Sequence, residues 1–536
     1  MHLSPLSPRH LLAPLILTLL TVGSARGQSV FAPGERWSWG GAAADNWIPG
    51  KVRFAANDSL VFAVAEFGER RFQVYDAHAS TFATLGPRAE DVQSTDTIGA
   101  IDLAAARNGR RMVALTQRPT TDTAHRRTTI SVYDPAAATF TPSWSHDLGF
   151  IGNANARVVM DRRGDTVHSA IWDGTNLHVE RFDGDDGAAL GALQLPGGGL
   201  VAMELSDDGE RLAILTSTDL WVLFAALGDD LAVLLQVAQS TPASSLAYSG
   251  DGRTLLLGRQ NLVEVWRDTG VWALESTRTG SPSDVPVRMG LSRDGETIGL
   301  AWWNSATGVS LRYECLSGPS RTLAWQHTEI GTPTGLQNLP QEVRVNPAGK
   351  RVLFGSWGQG GVEPELVLVD MDLAAAVWTV DLPGSVRGID LDETGTRIAV
   401  STKDSHANQF STSGRVRLLD SGERDVQALS PADLGGTLRV VARRPAGLGS
   451  GATVFLLGPK LGSPVWLPGS GWLLVNRRQG RTFARATDAQ GTAVLEAPLS
   501  FGAFALGQHF AVQAAFRGPA GSPLVLSWAT VSFTLL

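Results

Sequence analysis

Cysteine is almost absent from this chain of 536 residues, which has one, Cys315. A single thiol excludes an internal disulfide, so the fold has to be held together by its apolar core. Apolar residues make up 43% of the chain, which is close to the globular norm and enough for a sizeable core. Cys315 stands in an apolar, strand-like context, and we expect a buried, unreactive thiol there.

Basic residues are in the minority, with 45 lysines and arginines against 52 acidic residues and a net charge of −7. A protein that follows a phosphate backbone is normally basic, so nucleic acid is not an expected partner. Lysine is especially rare and occurs only at Lys51, Lys350, Lys403 and Lys460. The preference for arginine, with abundant alanine, glycine and leucine, favours a bacterial source with a GC-rich genome.

Long apolar runs are also scarce. The run Leu11–Val22 follows a short basic start and precedes small residues, which is typical of a secretory signal peptide over residues 1–27. The run is shorter than the roughly 20 residues that span a bilayer, with an uncleaved anchor as the alternative. We expect cleavage after Ala25 or Gly27 and a secreted, periplasmic or cell-surface protein. No membrane span is expected after the signal peptide.

Motifs that carry known chemistry are missing as well. The chain has no Gly-x-Ser-x-Gly elbow, no His-Glu-x-x-His or Cys-x-x-Cys pair and no glycine-rich phosphate loop. Its ten histidines are scattered singly, so none is expected to bind a metal, and we predict no cofactor and no catalytic residue. The acidic run Asp183–Gly187 lacks the spacing and the terminal glutamate of an EF-hand. A solvated hairpin turn is therefore favoured over a calcium site.

What the chain has in abundance is a repeated turn between two apolar runs. The clearest copies are Met203–Leu215, Leu246–Gly258 and Met289–Ala301, each with Asp-Gly at its centre. Asp-Gly or Asn-Gly between alternating apolar residues predicts a tight hairpin whose glycine has a positive φ. The turns recur about every 43 to 55 residues, which suits units of four short strands. The second residues of the eight turns are Asp58, Gly109, Gly164, Gly209, Gly252, Gly295, Gly349 and Gly395.

A strand with its own pattern follows these turns. It reads Phe-Gln-Val-Tyr-Asp at Phe72–Asp76, Ile-Ser-Val-Tyr-Asp at Ile130–Asp134 and Val-Arg-Leu-Leu-Asp at Val416–Asp420. The combination resembles the WD40 and YVTN families of repeats over about residues 30–425, although the Gly-His pair of strict WD40 repeats is absent. The resemblance implies an all-β fold with a β-propeller of eight blades, or of seven because the first repeat is weak. It carries over no functional residues.

A ring of sheets also has to be closed. Radial stacking of four-stranded sheets buries both faces of each sheet and leaves only short edges. A strand from one terminus usually completes the blade formed by the other terminus. The segment Arg36–Gly40 resembles the fourth strands of the repeats, so we expect it to pair with the last repeat.

The repeat rhythm stops near Asp420, and the polar segment Ser421–Gly436 is a predicted linker. About six or seven strand-like segments follow, separated by Gly, Pro and Asn turns, which favours a small β-sandwich. The segments Ala486–Leu495 and Leu506–Ala514 resemble a C-terminal module of large secreted bacterial proteins. The predicted domains are a signal peptide at 1–27, a WD40/YVTN-like β-propeller at 28–425 and a β-sandwich at 430–536.

The sixteen tryptophans allow a carbohydrate-binding interpretation, since an indole face stacks on a sugar ring. Most of them occupy equivalent strand positions, for example Trp144 and Trp325, and packing between blades is favoured for these. Trp302, Trp303 and Trp357 differ, because they fall where the second strand of a unit runs into its loop.

Four loops between the second and third strands of a unit are long: Thr116–Thr128, Trp302–Val309, Gly355–Glu365 and Thr402–Gly414. Loops of this class gather on one face of a propeller, where function concentrates, with insertions of no role as the alternative. We expect a binding surface there for a protein or carbohydrate partner. Its candidate ligand-binding residues are Arg118, Asp122, His125, Arg127, Trp302, Trp303, Trp357, Lys403, Asp404 and His406.

A secreted, non-enzymatic binding or scaffold protein is the function that these patterns favour. The alternative is a propeller enzyme of the lactonase or quinoprotein-like type, with ligands for a metal or cofactor converging at the channel mouth. A third interpretation is a structural part of a cell-surface assembly that docks through the β-sandwich.

Overall fold

The computed structural model shows a protein built from β-strands. No helix in the described part of the chain is long and apolar enough to cross a membrane. The predicted signal peptide lies outside the described residues. These residues are 34–40, 47–56, 58, 60–68, 72–77, 99–109, 111–119, 125–134, 141–152, 156–225, 231–239, 241–331, 337–359, 363–421, 426–428, 437–443, 452–467, 471–475, 481–486, 492–498, 509–517 and 524–534.

Eight antiparallel sheets follow one another in the described residues up to Asp420. In chain order their strands are β1 (Gly34–Gly40), β2 (Trp47–Ala55), β3 (Leu60–Gly68), β4 (Phe72–Asp76), β5 (Gly99–Ala105), β6 (Met112–Pro119), β7 (His125–Tyr133), β8 (Pro142–Gly152), β9 (Ala156–Met160), β10 (Thr166–Trp172), β11 (Asn176–Asp183), β12 (Ala189–Pro196), β13 (Leu200–Leu205), β14 (Arg211–Thr216), β15 (Asp219–Ala225), β16 (Leu231–Ala238), β17 (Ala243–Tyr248), β18 (Thr254–Arg259), β19 (Leu262–Asp268), β20 (Trp272–Thr279), β21 (Asp284–Leu291), β22 (Ile298–Asn304), β23 (Leu311–Ser317), β24 (Thr322–Glu329), β25 (Pro340–Val345), β26 (Arg351–Ser356), β27 (Leu366–Asp370), β28 (Ala375–Val380), β29 (Val386–Leu391), β30 (Arg397–Lys403) and β31 (Gly414–Asp420).

The sheets are numbered here in chain order, and the first strand of each sheet lies innermost, next to the axis of the ring. The first sheet is β2–β4, the next six run in groups of four from β5–β8 to β25–β28, and the eighth is β29–β31 with β1. The first strand of each sheet packs against the first strand of the next, and β29 of the eighth sheet packs against β2 of the first. This closed ring is a β-propeller, so the predicted all-β propeller fold is confirmed.

The Asp-Gly turns form a second ring by hydrogen bonding from one sheet to the next. The N–H of Asn108 donates to the carbonyl of Arg162 at 2.8 Å, and the N–H of Arg162 donates to the carbonyl of Asp207 at 3.1 Å. The series continues through Asp207 N to Gly250 O at 2.8 Å, Asp251 N to Arg293 O at 2.8 Å, Arg293 N to Pro347 O at 3.1 Å, Asn346 Nδ2 to Glu393 O at 3.2 Å, Glu393 N to Asp58 Oδ2 at 2.9 Å and Ala56 N to Gly109 O at 2.7 Å.

The predicted positive φ is present at six of the turn glycines and explains why those positions are glycine. At Gly209 the φ is +76°, and an added Cβ would lie 2.3 Å from Thr166 Oγ1 of the preceding sheet. Asp58 has the same backbone conformation at +65°, which short polar residues tolerate better than most. Gly109 departs from the prediction, since its φ is outside this region. Its missing Cβ instead allows the close approach of the Arg163 carbonyl, which a Cβ would meet at 2.2 Å.

The N-terminal strand closes the ring, as the sequence predicted. Strand β1 pairs antiparallel with β31, so it becomes the outermost strand of the eighth sheet. Arg36 donates to the buried carboxylate of Asp420 at 2.8 Å. Trp37 is buried against Tyr75 of the first sheet, with ring centroids 5.2 Å apart. The two ends of the ring are therefore joined by both backbone pairing and core packing.

The core lies between neighbouring sheets, and the tryptophans contribute to it as predicted. Trp144 of β8 packs on Phe182 of the next sheet at 5.9 Å between centroids, and Trp325 of β24 packs on Phe354 of the next sheet at 6.0 Å. Cys315 is fully buried, and burial raises the pKa of its thiol well above the usual value. The expectation of a buried thiol is confirmed, and its low reactivity stays a prediction.

A further group of strands follows the ring and forms two sheets of its own. They are β32 (Val426–Ala428), β33 (Thr437–Arg443), β34 (Ala452–Leu467), β35 (Gly471–Val475), β36 (Arg481–Ala486), β37 (Thr492–Pro498), β38 (His509–Arg517) and β39 (Leu524–Thr534). Strands β32, β33 and β37 form one sheet, and β34 pairs with β35, β36 and β38 in the other. Leu438 and Leu495 of one sheet share an apolar cluster with Phe455 and Phe516 of the other. Strand β32 lies inside the predicted linker, so this group begins before residue 430.

Candidate binding face and central channel

The two faces of the ring differ in what they carry. Because successive strands of a sheet are antiparallel, the Asp-Gly turns and the connections from third to fourth strand share one face, called here the turn face. The connections from second to third strand and from each sheet to the next share the opposite face, called here the loop face. All four long loops of the sequence prediction fall on the loop face by this strand order.

The candidate residues of the second sheet lie mostly in strands. Strand β6 extends to Pro119 and β7 begins at His125, so Arg118, His125 and Arg127 are strand residues, and Asp122 lies outside the described residues. The Nε of Arg127 donates to Asp147 Oδ2 of β8 at 2.6 Å, and this contact lowers the pKa of Asp147. The predicted loop is thus shorter than expected.

The predicted loop position of Trp302 and Trp303 is also wrong. Both lie in β22, which runs to Asn304. Trp302 is fully buried and donates its indole N–H to Glu314 Oε2 at 3.2 Å, with the Arg312 guanidinium over its ring at 5.0 Å. Its aromatic face is therefore part of the interior and not a platform for a ligand. Trp303 is half-buried and packs against the core between the sixth and seventh sheets.

The loops of the sixth, seventh and eighth sheets are tied together across the loop face. Asn338 donates its N–H to Gly308 O at 3.2 Å and accepts the N–H of Gly358 on its side-chain oxygen at 3.0 Å. Ser385 donates its hydroxyl to Trp357 O at 2.8 Å and accepts the N–H of Ala407 at 2.7 Å. The connection that contains Asn338 and the one that contains Ser385 therefore bind the three neighbouring loops to one another, so that these loops form one surface.

The remaining candidate residues belong to this linked surface, but their polar groups are largely used within it. Trp357 is half-buried and donates its indole N–H to Gln341 Oε1 at 3.0 Å. Lys403 donates to the carbonyls of Ala407 and Gln409, both at 2.7 Å. Asp404 accepts from Ser413 at 3.1 Å and lies 3.4 Å from Arg415, and His406 Nδ1 lies 3.3 Å from Glu365 Oε1. The charges of Lys403 and Asp404 thus hold the loop between β30 and β31 in shape.

Among the described residues of the loop face, two large apolar side chains project into solvent, and the sequence prediction missed both. Phe410 lies in the loop between β30 and β31 and is 82% exposed, and Ile330 lies in the connection after β24 and is 77% exposed. A phenylalanine in an otherwise polar loop was the available signal for Phe410. Exposed aromatic and aliphatic groups on a fixed surface are typical anchors of protein interfaces.

The central channel is lined by ionic groups that bind one another. Lys51 contacts Asp102 at 2.7 Å, and Arg53 contacts Glu342 at 3.0 Å. Burial alone would raise the pKa of Asp102, but the charges of Lys51 and Arg157 outweigh it and hold that pKa below its usual value.

The acids of the channel also join consecutive innermost strands. Asp102 accepts the N–H of Val158 at 3.0 Å, and Asp390 accepts the N–H of Phe54 at 2.7 Å. In both contacts the carboxylate binds the backbone of the next sheet. The channel groups therefore have a structural role, because they satisfy edge strands that face the axis.

At the turn face the channel opens into a cavity of about 240 Å³ whose lining includes Arg107, Arg162, Arg293 and Arg344. Arg107 contacts Asp58 at 2.9 Å, and Asp207 lies 3.3 Å from Arg162 and 3.0 Å from Arg293. These arginines extend the ring of hydrogen-bonded turns by ion pairs.

Within the described residues, one group of side chains has the geometry to hold a metal ion. It comprises His327, Glu329 and Glu363, whose ligand atoms lie within 4.8 Å of one another. It belongs to the outermost strand β24 and to the loop after β26, away from the innermost strands. The enzyme alternative called for such ligands at the channel mouth, and this group is elsewhere. The acidic run Asp183–Gly187 is a hairpin turn in which Asp183 accepts the N–H of Asp185 at 2.7 Å.

No protein-family model matches the chain, and no curated protein matches it either. Among solved structures it is similar to the β-propeller domain of Cps50 (Swd1) of Myceliophteria thermophila, with 11% identity and a TM-score of 0.43 over 73% of this chain and 99% of that one. It is also similar to Sqt1 of Chaetomium thermophilum (14%, TM-score 0.49, 73% and 99%) and to the C-terminal WD40 domain of Sif2 (13%, TM-score 0.47, 70% and 96%). The assignment of this chain to the β-propeller fold rests on its own closed ring of sheets.

Proposed function

We propose that this protein is a non-enzymatic binding protein that holds a protein partner on the loop face of its propeller. The observation that carries the proposal is the exposure of Phe410 on a loop that is hydrogen-bonded to its neighbours. An exposed aromatic group on a fixed backbone loses little conformational freedom on binding, so most of its burial contributes to affinity. Ile330 adds a second apolar anchor on the same face.

A protein partner fits this surface better than a carbohydrate. The carbohydrate interpretation depended on open indole faces that could stack on a sugar ring. Trp302 is buried, Trp303 and Trp357 are half-buried, and the indole N–H of Trp357 is bonded inside the loop face. Phe410 and Ile330 carry no polar group for sugar hydroxyls. Their burial against apolar side chains is the gain that a protein partner supplies.

The proposal includes export from the cytoplasm, on the strength of the signal-peptide pattern of residues 1–27. It also treats the two sheets after residue 425 as a separate β-sandwich module. Their shared apolar cluster around Phe455 supports a core of their own. In this arrangement the propeller binds the partner and the C-terminal module is free for attachment.

The test compares exposed apolar residues on the two faces. F410S removes the loop-face anchor, and L373S is the matched control, since Leu373 is 67% exposed in the connection between β27 and β28 on the turn face. Wild type and both variants are immobilised, exposed to envelope and secreted proteins of the source organism, and the captured proteins are quantified by mass spectrometry. We expect a protein that wild type and L373S capture equally and that F410S captures about 10-fold less. Equal capture by all three chains, or greater loss with L373S, would overturn the proposal.

A further inference from the structure

A cluster of one histidine and two glutamates lies at the outer edge of the loop face. His327 and Glu329 are two residues apart in β24, so they lie on the same side of that strand. Glu363 comes from the loop between β26 and β27 of the next sheet and completes the group. One imidazole and two carboxylates are thus brought together by two different sheets.

Glu329 is the unusual member of this cluster. Its side chain is 1% exposed, and its Oε2 accepts the hydroxyl of Tyr313 at 3.3 Å. Its Oε1 is also buried and has no hydrogen-bond partner among the described residues. A buried carboxylate oxygen without a partner is costly, so a native fold normally supplies it with a donor or a cation.

The charges around Glu329 point to a cation. The groups nearest to it in charge are the carboxylates of Glu363 and Glu365. Among the described residues, the contacts of Glu329 and Glu363 are with Tyr313 and His327, and no ion pair joins either acid to an arginine or a lysine. Nearly all the other buried acids described above have such a partner, for example Asp102 with Lys51.

We propose that His327, Glu329 and Glu363 bind a Zn²⁺ ion that joins the sixth and seventh sheets at the loop face. Zinc takes imidazole nitrogen and carboxylate oxygen at about 2.0 to 2.2 Å, whereas Mg²⁺ and Ca²⁺ favour sites made of oxygen alone. Ligand atoms on one such ion lie about 3 to 4 Å apart, so the observed separation within 4.8 Å closes by small side-chain rotations. His327 is exposed, which leaves water access to a fourth position.

A bound ion would also stabilise the rim of the loop face near Ile330. Ile330 follows Glu329 directly, and the loop that carries Glu363 also carries Trp357. A metal bridge between β24 and this loop would fix the rim from which Ile330 projects. The site does not depend on the proposed partner, because its evidence is the cluster itself.

The test measures metal binding by the full chain, purified without a histidine tag and stripped with a chelator. Isothermal titration with Zn²⁺ is run for wild type, H327A and E363Q. The control is H178A, which removes an exposed histidine that also lies beside an acid, since His178 Nε2 is 2.7 Å from Asp173. We expect one Zn²⁺ per wild-type or H178A chain and affinities about 10- to 100-fold lower in H327A and E363Q.

A second measurement guards against a folding defect in the variants. Titration of wild type with Co²⁺ should give the visible absorption of a protein-bound ion, and added Zn²⁺ should remove it. The proposal is overturned if wild type binds no Zn²⁺, if H327A and E363Q bind it as tightly as wild type, or if Mg²⁺ or Ca²⁺ binds more tightly than Zn²⁺.

Discussion

The backbone N–H of Glu393 donates to Asp58 Oδ2 at 2.9 Å, across 335 residues of sequence. This contact joins the turn of the eighth sheet to the turn of the first and completes the ring of hydrogen-bonded turns. Asp58 also contacts Arg107 of the second sheet through its other oxygen at 2.9 Å. One carboxylate therefore holds three consecutive sheets at the place where the chain closes on itself.

Replacement of Asp58 should destabilise the ring strongly. D58A removes two charge-assisted hydrogen bonds, and we expect a loss of about 2 to 4 kcal/mol in the free energy of unfolding. D58G loses the same bonds but accepts the φ of +65°, so it should be about 1 kcal/mol less destabilised than D58A. Denaturant unfolding measures both. E210A, at an exposed residue next to the turn glycine Gly209, is the control and should change the free energy by less than about 0.5 kcal/mol.

The closing strand gives a second prediction. Trp37 of β1 is buried against Tyr75, and W37A should cost about 3 to 5 kcal/mol, because a large cavity opens where the first and eighth sheets meet. S38A, at the next residue of the same strand, should leave stability almost unchanged. Thermal unfolding of both variants tests this. Equal midpoints for W37A and wild type would show that β1 does not close the ring.

Alanine substitution at two glycines distinguishes the cost of backbone strain from the cost of a steric clash. Gly209 and Gly308 have similar φ values of +76° and +70°, but a Cβ at Gly209 would meet Thr166 Oγ1 at 2.3 Å, and one at Gly308 would meet nothing within 4 Å. G308A should cost about 1 kcal/mol through its backbone alone. G209A should cost about 2 to 4 kcal/mol, because the preceding sheet has to move. Similar costs for the two variants would mean that the turns are not packed against one another.

His168 predicts a pH dependence of stability. Burial, followed by the charge of Arg181, lowers the pKa of His168 to about 3, and its Nε2 lies 3.2 Å from Gly209 O. Below a pH of about 6.5 the unfolded chain binds a proton that the folded chain does not, so stability falls as the pH falls. Between pH 7 and pH 5 this group should cost about 2 kcal/mol.

The variant H168Q should remove that part of the pH dependence, while H178Q, at an exposed histidine, should retain it. Denaturant unfolding at several pH values provides the measurement. An unchanged slope in H168Q would contradict the burial of a neutral imidazole at this position.

The ring could be predicted because its turns are local and repeated. Asp-Gly at Gly209 and Gly252 requires the same backbone conformation each time, and short-range chemistry of this kind is visible in sequence. The closing strand was also predictable, since Arg36–Gly40 has the pattern of a fourth strand. Strand ends were not predictable, because Arg118 and Trp302 continue their strands by pairing with neighbours and not by any local preference.

The candidate site was only partly predictable, because exposure and convergence are tertiary properties. The loops of the sixth to eighth sheets do form one surface, and Trp357 and His406 belong to it. Phe410 was missed although its place in an otherwise polar loop was a signal, because the fixed backbone that exposes its side chain is set by contacts between sheets. The group of His327, Glu329 and Glu363 was missed because its members look isolated in sequence and meet only through the packing of two sheets.

Hydrogen exchange with and without the captured partner tests the central claim most directly, since it locates the bound surface without any substitution. If the partner binds the loop face, we expect slower amide exchange in the loops between β22 and β23, β26 and β27, and β30 and β31, including the segment around Phe410. The account predicts no change in the Asp-Gly turns around Gly209 and Gly252. Protection of those turns, with the loop face unchanged, would contradict the account.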